Sequence, residues 1–435
     1  MTEPLKVAIT TLGCRSNQYD SSAIEEMIRE AEMETVPFSS PADAYIINTC
    51  TVTGRTDSQS RQLIRRARKK NPSAVVIVTG CYAQVSPGEV AEIGGVDYIV
   101  GNPEKGRVIE YIKKGTRRNG PEEAVGPWED GPPITLRVKE PRGRTRVNFK
   151  VQDGCNRSCT FCIIPRARGR QKSFPVEDCL REIEGFIGKG FKEIVLTGIH
   201  LGAYGAEFKP TLTITDLLKG IEKNRYPCRF RISSLDPDEV TDELVEFMAG
   251  AGTVCNHLHL PLQSGDDAIL KAMRRPYTRG FFAQRVSKLH ETVPGISIGA
   301  DVIAGFPGER EREFENTFNL LKDLPVSYLH VFPFSKRRGT PAAGMPGQVN
   351  GKVIKERCRR LKDLDTLKRD GFYGEFLGKE THVLVESARD GKTGLLKGRS
   401  RNYIPVFLGG DDGLKRKEVR VTLTEAGERG MTGRV

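Results

Sequence analysis

The sequence predicts an α/β protein in three parts: an N-terminal domain built on a parallel sheet, a central partial (β/α)6 barrel, and a small all-β domain at the C-terminus. Two observations carry this prediction. Over most of the chain, apolar runs of strand length alternate with amphipathic helical stretches. In residues 376–435, polar and apolar residues alternate one by one instead. The chain has 435 residues, which is enough for about two to four domains of ordinary size.

Residues 1–114 are predicted to form the first domain. Its expected strands and helices follow each other along the chain: strands Lys6–Leu12, Ala44–Asn48, Ala74–Thr79 and Asp97–Val100, and helices Ser22–Met33 and Ser58–Lys70. Both helices carry their apolar residues on one face. This alternation favours a parallel sheet covered by helices.

Residues 115–145 are rich in glycine, proline and charge and are predicted to be a linker, in which Ile134–Val138 could form a short strand. The second domain is predicted at 146–372. Its expected strands are Arg146–Gln152, Glu193–Thr197, Phe230–Ser233, His257–Leu262, Ile296–Ile303 and Leu329–Phe332. Its expected helices are Val176–Ile187, Ile214–Lys223, Asp238–Met248, Gly280–Thr292, Glu311–Leu324 and the basic stretch Val353–Arg369. Repeated βα units predict a barrel or partial barrel with its chemistry at the carboxyl ends of the strands.

The third domain, 376–435, is predicted from Thr381–Glu386 and Val419–Thr424, where apolar and polar residues alternate. Glycine and charged residues lie between these two segments. The pattern indicates a small all-β barrel or sandwich.

Composition indicates a soluble chain. Hydrophobic residues make up 37% and charged residues 29%, and 68 Lys and Arg against 56 Asp and Glu give a net charge of +12. The longest apolar runs, such as Ala74–Val78, fall far short of the ~20 residues of a membrane span, and the N-terminus lacks a signal-peptide core. We therefore expect a cytoplasmic protein without a membrane partner. The basic balance suits nucleic acid, although many basic proteins bind none.

Three of the ten cysteines lie within eight residues, as Cys155, Cys159 and Cys162, directly after the first predicted barrel strand. In a reducing compartment, such clustering suggests metal binding or catalysis. Three thiolates can hold three irons of a cubane cluster and leave the fourth iron open, whereas closed iron–sulfur sites usually take four cysteines. The alternatives are a zinc site with a distant fourth ligand or three core cysteines. Zinc ribbons favour a second cysteine pair, and none follows here.

This CxxxCxxC loop, with the aromatic Phe161 before its last cysteine, resembles that of radical S-adenosylmethionine (AdoMet) enzymes. The resemblance implies a 4Fe-4S cluster whose open iron binds AdoMet, and a one-electron cleavage that yields methionine and a 5′-deoxyadenosyl radical. Cys155, Cys159 and Cys162 would be the catalytic ligands. The residues expected to contact AdoMet belong to the loop or to the predicted strands and their carboxyl ends: Phe161, Thr197, Gly198, Ser233, Gln263 and Asp301. Asp301 lies inside a strand, where a carboxylate can equally satisfy a core network.

Three more cysteines, Cys14, Cys50 and Cys81, each follow a predicted strand of the first domain. The carboxyl ends of parallel strands lie on one edge of a sheet, where ligands collect. These thiols could therefore converge on a second metal site. Spacing alone leaves simple burial as the commoner explanation for free cysteines.

The motifs around these cysteines, Gly13-Cys-x-x-Asn-Gln18, Asn48-Thr-Cys-Thr-Val-Thr53 and Gly80-Cys81, together with the loop Gly154–Gly169, resemble the methylthiotransferases over nearly the whole chain. The resemblance implies that Cys14, Cys50 and Cys81 bind a second 4Fe-4S cluster, which carries the sulfur that is methylated and transferred. It also implies a C-terminal RNA-binding domain of the TRAM type. An electron donor such as flavodoxin or ferredoxin and a sulfur source would be needed as partners.

The segments Thr11–Tyr19 and Thr49–Thr53 resemble the branch that converts N6-threonylcarbamoyladenosine at position 37, in the tRNA anticodon loop, to its 2-methylthio derivative. Three alternatives stay open: the branch that acts on isopentenyladenosine in tRNA, the branch that acts on a ribosomal-protein aspartate, and a non-catalytic RNA-binding metal protein.

Charge favours RNA over protein as the substrate. Between Arg137 and Lys172, eleven basic and two acidic residues give a net charge of +9. We expect RNA contacts from basic residues after the cysteine loop and from the tail: Arg166, Arg168, Arg170, Lys397, Arg399, Arg401 and Tyr403. The alternative for any such run is a solvated face.

Overall fold

The computed structural model describes residues 3–117, 119–127, 136–138 and 145–435. These residues form two compact units. The first takes its residues from 1–142, 150–174 and 335–343, and the second from 143–149, 175–334 and 344–435. Within the described ranges, no helix is both long and apolar enough to cross a membrane.

The first unit is built on a six-stranded parallel sheet in the order β2-β1-β3-β4-β5-β6. Its strands are β1 (Lys6–Thr11), β2 (Glu34–Val36), β3 (Ala44–Thr49), β4 (Val75–Gly80), β5 (Tyr98–Val100) and β6 (Glu122–Ala124). The two central strands, β3 and β4, are buried along their whole length. Their unbroken apolar sequences fit a sheet covered on both faces, and the predicted parallel sheet is confirmed.

Helices cover both faces of this sheet: α1 (Arg15–Glu30), α2 (Gly54–Lys70), α3 (Cys81–Val85), α4 (Pro87–Ala91) and α5 (Val108–Lys114). On one face, Ile24 of α1 belongs to the same core as Ile46 and Ile77. On the other face, Ile64 of α2 packs with Tyr45.

Two elements of the first unit differ from the prediction. Helix α1 begins at Arg15, well before the predicted Ser22, because its first turns bury the polar residues Asn17 and Asp20 in place of apolar ones. Residues 122–124, inside the predicted linker, form the edge strand β6 beside β5. The predicted short strand at Ile134–Val138 falls partly outside the described residues, and 136–138 are not a strand.

The barrel strands come next along the chain, together with a short antiparallel strand pair that belongs to the first unit. The strands are β7 (Val147–Lys150), β8 (Gln152–Asp153), β9 (Lys172–Ser173), β10 (Glu193–Thr197), β11 (Arg229–Ile232), β12 (His257–Gln263), β13 (Ser297–Ala304) and β14 (Tyr328–Pro333). β7, β10 and β11 form one three-stranded sheet, and β12, β13 and β14 form another. β8 and β9 form the separate antiparallel strand pair.

The helices of this region are α6 (Ile164–Arg168), α7 (Val176–Gly188), α8 (Ile214–Lys223), α9 (Asp242–Gly250), α10 (Asp267–Ala272), α11 (Arg279–Thr292), α12 (Glu311–Asp323), α13 (Pro341–Gly344) and α14 (Gly351–Gly374). Strand–helix alternation thus continues through the second unit, as predicted. Threonines accept hydrogen bonds from backbone N–H groups at the starts of α8, α9 and α11, which is the usual way to satisfy a helix N-terminus.

The C-terminal strands close into a barrel in the order β15-β16-β17-β19-β18. They are β15 (Glu380–Arg389), β16 (Leu396–Ser400), β17 (Pro405–Leu408), β18 (Glu418–Gly427) and β19 (Gly430–Arg434). Alternate residues such as Val383, Val385 and Leu423 fill its interior, and Phe372 and Tyr373 of α14 belong to the same core. The structure therefore selects a barrel from the two all-β alternatives.

Candidate active site

Cys14, Cys50 and Cys81 lie where β1, β3 and β4 end, and these three strands are neighbours in the sheet. The pKa of the Cys50 thiol is raised to about 12, chiefly by burial and in part by the negative charge of the nearby Cys81 and Cys14 thiolates. The thiols are therefore close enough to interact electrostatically. Cys50 and Cys81 are buried, whereas Cys14 is exposed.

Two glycines allow this convergence. Gly13 has a φ of +95°, and a Cβ atom there would lie 2.6 Å from both the Cβ and the Sγ of Cys50. Gly80 also has a φ of +95°, and its added Cβ would lie 2.3 Å from the carbonyl oxygen of Thr49. Side chains are excluded at both positions by contact as well as by conformation. The Gly-Cys pairs of the sequence motifs thus bring neighbouring strand ends together.

Asn17 and Asn48 tie the same loops to each other. The Asn17 side chain donates to the carbonyl oxygens of Leu12 (2.8 Å) and Thr49 (2.9 Å). The Asn48 side chain donates to the Asn17 carbonyl oxygen at 2.9 Å. These buried amides connect the ends of β1 and β3 to the first turn of α1, so they position the residues beside Cys14 and Cys50.

A buried ionic network lies beside this cysteine group. Asp20 accepts from Lys105 Nζ at 2.7 Å, from Lys150 Nζ at 2.5 Å and from Arg168 Nη1 at 3.0 Å. Asp153 accepts from Lys150 Nζ at 2.8 Å and from Arg168 Nη1 at 3.1 Å. Although burial alone would raise the pKa of Asp20, these cations hold it well below its ordinary value. We call these five residues the buried ionic network.

The second cysteine group lies between β8 and β9. Gly154 has a φ of +73°, and a Cβ there would lie 2.0 Å from the carbonyl oxygen of Arg170, so the two ends of the loop touch. The Cys155 N–H donates to the Gly169 carbonyl oxygen at 3.0 Å, and the Arg157 N–H donates to Cys155 Sγ at 3.4 Å. Cys155 and Cys162 are partly exposed, whereas Cys159 is buried.

Both cysteine groups fit iron–sulfur clusters by their donor chemistry. Each offers three sulfur ligands on one short loop or one sheet edge, and cubane clusters are held by cysteine thiolates. The N–H group directed at Cys155 Sγ is the kind of donor that stabilises a ligating sulfur. A three-cysteine set leaves one iron for another ligand.

Residues 335–343 contact both cysteine loops, although no sequence motif singles them out. Arg337 Nη2 donates to the Oγ1 of Thr51, the residue after Cys50, at 2.5 Å and to Asp57 Oδ2 at 2.6 Å. The Ala342 N–H donates to the Thr160 carbonyl oxygen at 2.9 Å, directly after Cys159. This segment follows the last barrel strand, so sequence distance hides its role.

In the second unit, the predicted AdoMet contacts lie at or near strand ends. Thr197 ends β10, and its hydroxyl donates to the Val195 carbonyl oxygen at 3.2 Å. Ser233 follows β11, and its buried Oγ has no hydrogen-bond partner among the described residues. Gln263 ends β12 with a φ of +67° at an irregularity in the pairing with β13. A buried hydroxyl without a hydrogen-bond partner and a non-glycine residue with a positive φ are both unfavourable, and such features are found preferentially at ligand sites.

Asp301 is part of a hydrogen-bonded cluster within the second unit. Its Oδ1 lies 2.7 Å from His259 Nε2 and 3.3 Å from His330 Nδ1. The phenol of Tyr328 joins His259 Nδ1 (3.1 Å) to His257 Nε2 (2.8 Å). Burial would raise the pKa of Asp301, but the two histidines that face it hold it below its ordinary value. This carboxylate satisfies a side-chain network, which was one of its two predicted roles.

The tail residues lie elsewhere in the second unit. Arg401 Nη2 donates to the carbonyl oxygens of Gly252 and Val254, which precede β12. The Tyr403 ring lies 4.3 Å from the Arg399 guanidinium and 4.8 Å from that of Arg231. The Arg401 contacts are therefore at the amino end of β12, whereas ligands of such barrels bind at the carboxyl ends of the strands.

One predicted RNA contact is revised, and the others stay predictions. Arg399, Arg401 and Tyr403 contact the barrel strands or the loops before them within the second unit. Their side chains are partly exposed, so the RNA contact expected of them stays a prediction. Lys397 stays partly exposed and pairs with Glu386 at 3.6 Å. Arg168 is 2% exposed and lies in the buried ionic network, so it is not placed to contact RNA. Arg166 and Arg170 are exposed, and their RNA contacts stay predictions.

Two family models match the chain. The one described as "Uncharacterized protein family UPF0004" matches residues 6–101, and the Radical SAM superfamily model matches residues 149–321. The threonylcarbamoyladenosine tRNA methylthiotransferase MtaB of Bacillus subtilis is 40% identical over 97% of this chain and 94% of its own length. The chain belongs to the MtaB-type methylthiotransferases.

Two further relatives are similar to most of the chain. MtaB of Aquifex aeolicus is 40% identical over 88% of this chain and 93% of its own length. The tRNA-2-methylthio-N(6)-dimethylallyladenosine synthase of Fusobacterium nucleatum is 33% identical over 97% of both chains. Membership makes the protein a radical AdoMet enzyme, with AdoMet and a 4Fe-4S cluster as cofactors.

Solved structures support the fold. The radical AdoMet methyltransferase TsrM from Kitasatospora setae matches with a TM-score of 0.56 at 15% identity, over 78% of this chain and 77% of that one. The radical AdoMet enzyme OxsB matches with a TM-score of 0.52 at 13% identity, over 83% of this chain and 56% of that one. At these identities, the likeness concerns the architecture alone.

Proposed function

We propose that this protein converts N6-threonylcarbamoyladenosine in tRNA to its 2-methylthio derivative. The observation that carries the choice of substrate is the 40% identity to MtaB over nearly the whole chain, against 33% for the synthase named for dimethylallyladenosine. The net change is the replacement of the C2 hydrogen of adenine by a methylthio group.

A second 4Fe-4S cluster on Cys14, Cys50 and Cys81 is part of this proposal. Three observations support it. The strands that these cysteines follow are neighbours in the sheet. The Cys81 and Cys14 thiols help to raise the pKa of Cys50, and Gly13 approaches Cys50 closely. When bound, the loop cluster and AdoMet supply a carbon-centred radical, while the second cluster supplies the sulfur. An electron donor such as flavodoxin or ferredoxin and a sulfur source are proposed partners.

The chain's own residues have separate tasks in this proposal. Phe161, together with Thr197, Gly198, Ser233, Gln263 and Asp301, is proposed to contact AdoMet. Arg166 and Arg170 are exposed directly after the cysteine loop, and we assign them to RNA phosphates or to the carboxylate of the modified base. An arginine suits a carboxylate because two parallel N–H donors match its two oxygens. Arg168 is buried, so we assign the carboxylate to the exposed Arg166 in preference to Arg168.

Nucleoside mass spectrometry tests the substrate. In tRNA from a strain that lacks this protein, we expect 2-methylthio-N6-threonylcarbamoyladenosine to disappear and its unthiolated precursor to accumulate. The wild-type gene should restore the product, and the Cys50→Ala variant should not. Loss of the isopentenyl derivative instead would move the protein to the sister branch, and an unchanged tRNA profile would contradict an RNA substrate.

Metal analysis tests the second cluster. Because each cysteine group is proposed to hold one cluster, the triple variant Cys155→Ala, Cys159→Ala, Cys162→Ala should keep about half of the wild-type iron and sulfide after anaerobic reconstitution. Cys179→Ala is the control, since Cys179 is buried in α7 near the Tyr204 hydroxyl, and it should keep all of the iron. A triple variant without iron would contradict the second cluster.

A further inference from the structure

The buried ionic network carries more positive than negative charge. Its cations are Lys105, Lys150 and Arg168, and its carboxylates are Asp20 and Asp153. Three positive and two negative charges leave a net charge of +1. All five residues are at most 9% exposed. A buried charge without a counter-charge is strongly unfavourable, so this excess calls for a negative group nearby.

The thiols of the first cysteine group are the groups that face this excess. Arg168 interacts electrostatically with Cys81 and Cys14, and Lys105 interacts with Cys81. The side-chain nitrogen of Asn102 lies 4.0 Å from Cys81 Sγ and donates to the Ala167 carbonyl oxygen at 2.6 Å, next to Arg168. The network therefore borders the ligand set of the proposed second cluster.

We propose that the buried ionic network is the counter-charge of that cluster, an inference that rests on the proposed function. Three thiolates outweigh the two positive charges of an oxidised [4Fe–4S] core by one, and the network supplies the matching positive charge. Reduction adds a further negative charge, which the same cations stabilise. The network residues are thus positioning residues that favour cluster retention and raise its reduction potential.

The placement of these residues along the chain supports this role. Asp20 lies on the helix that begins directly after Cys14, and Lys105 follows β5. Asp153 and Arg168 flank the other cysteine loop, yet Arg168 pairs with Asp20 as well as with Asp153. A network that served only to hold the loop would need no excess cation.

Charge substitutions in the Cys155→Ala, Cys159→Ala, Cys162→Ala background isolate the second cluster. Lys105→Met removes one cation and leaves the network neutral, so the midpoint potential should shift to more negative values. Asp20→Asn removes one carboxylate and leaves a charge of +2, so the midpoint should shift to more positive values. Lys219→Met is the control, because Lys219 is a half-exposed partner of Glu243 in the second unit, and it should leave the potential unchanged.

Thermal unfolding gives a second readout for Lys105→Met, which keeps the proposal testable if Asp20→Asn fails to fold. In the cluster-free protein this variant should be as stable as its parent, because Asp20 keeps Lys150 and Arg168. Binding of the cluster should stabilise this variant less than it stabilises the parent.

The outcomes separate the two proposals. A background protein that binds no iron contradicts the second cluster itself. Bound iron with the same midpoint potential in Lys105→Met as in the background overturns the counter-charge, as does an equal loss of stability with and without the cluster.

Discussion

Replacing Glu193 with glutamine is expected to lower the free energy of unfolding by about 3–5 kcal/mol, the range typical of a broken buried ion pair. Glu193 is fully buried at the start of β10. Its Oε2 lies 2.6 Å from Arg229 Nη2, and its Oε1 lies 3.1 Å from Arg231 Nε. Both arginines are at most 1% exposed. The amide would remove the carboxylate that pairs with Arg231, while Arg229 would keep its second partner, Glu418, at 2.8 Å.

Acid should remove the same stabilisation from the wild type. Burial would raise the pKa of Glu193, but Arg231, Arg229 and Arg146 hold it well below its ordinary value. Its contribution is therefore present above the ordinary glutamate pKa of about 4.3 and is lost as the pH falls toward the lower folded-state pKa. The Glu193→Gln variant should lack this part of the pH dependence.

Denaturant unfolding of the cluster-free protein at neutral and acidic pH measures both effects. Glu243→Gln is the matched control, because the Glu243 side chain is 56% exposed and pairs with Lys219 at the surface. It should change stability by less than about 1 kcal/mol. A loss of less than about 1 kcal/mol in Glu193→Gln would show that other groups satisfy the two arginines.

Gly13→Ala is expected to abolish methylthiolated product while cleavage of AdoMet continues. The new methyl group would lie 2.6 Å from Cys50 Sγ, far inside van der Waals contact, so Cys50 must leave its position. The proposed second cluster would then lose a ligand, and the variant should bind about half of the wild-type iron, since one of two clusters remains.

Gly94→Ala separates this contact from backbone strain. Gly94 has a φ of +77°, but nothing lies within 4 Å of its added Cβ. Both variants bear the cost of a left-handed alanine, about 1–2 kcal/mol. Only Gly13→Ala should lose iron and product, as measured by metal analysis and nucleoside mass spectrometry. Full iron content in Gly13→Ala would remove Cys50 from the ligand set.

Much of the fold follows from local sequence. The strand predicted at Glu193–Thr197 and the helix predicted at Ile214–Lys223 agree with the structure residue for residue. In each element the apolar pattern agrees with the length, and the helix is also capped by Thr213. Helix α1 was predicted too short, because its first turns bury Asn17 and Asp20, and buried polar residues do not appear in a hydrophobic pattern.

Both cysteine groups were also visible in the sequence. The CxxxCxxC loop is local, so its spacing is readable at once. Cys14, Cys50 and Cys81 are far apart along the chain, but each follows a strand, and parallel strands place their carboxyl ends on one edge. Strand order decides whether such ends are neighbours, and the sheet order confirms that they are.

The roles of the charged residues were decided only by the tertiary structure. Arg166, Arg168 and Arg170 look alike in the sequence, yet Arg168 is buried between Asp20 and Asp153 while its neighbours are exposed. The Tyr403 ring, which the sequence suited to stacking on a base, lies against the Arg399 and Arg231 guanidinium groups of its own chain. A charge run records how many charges are present. Which of them meet solvent and which meet a counter-charge depends on partners that can be distant in sequence, such as Asp20, 148 residues from Arg168, and folding brings those partners together.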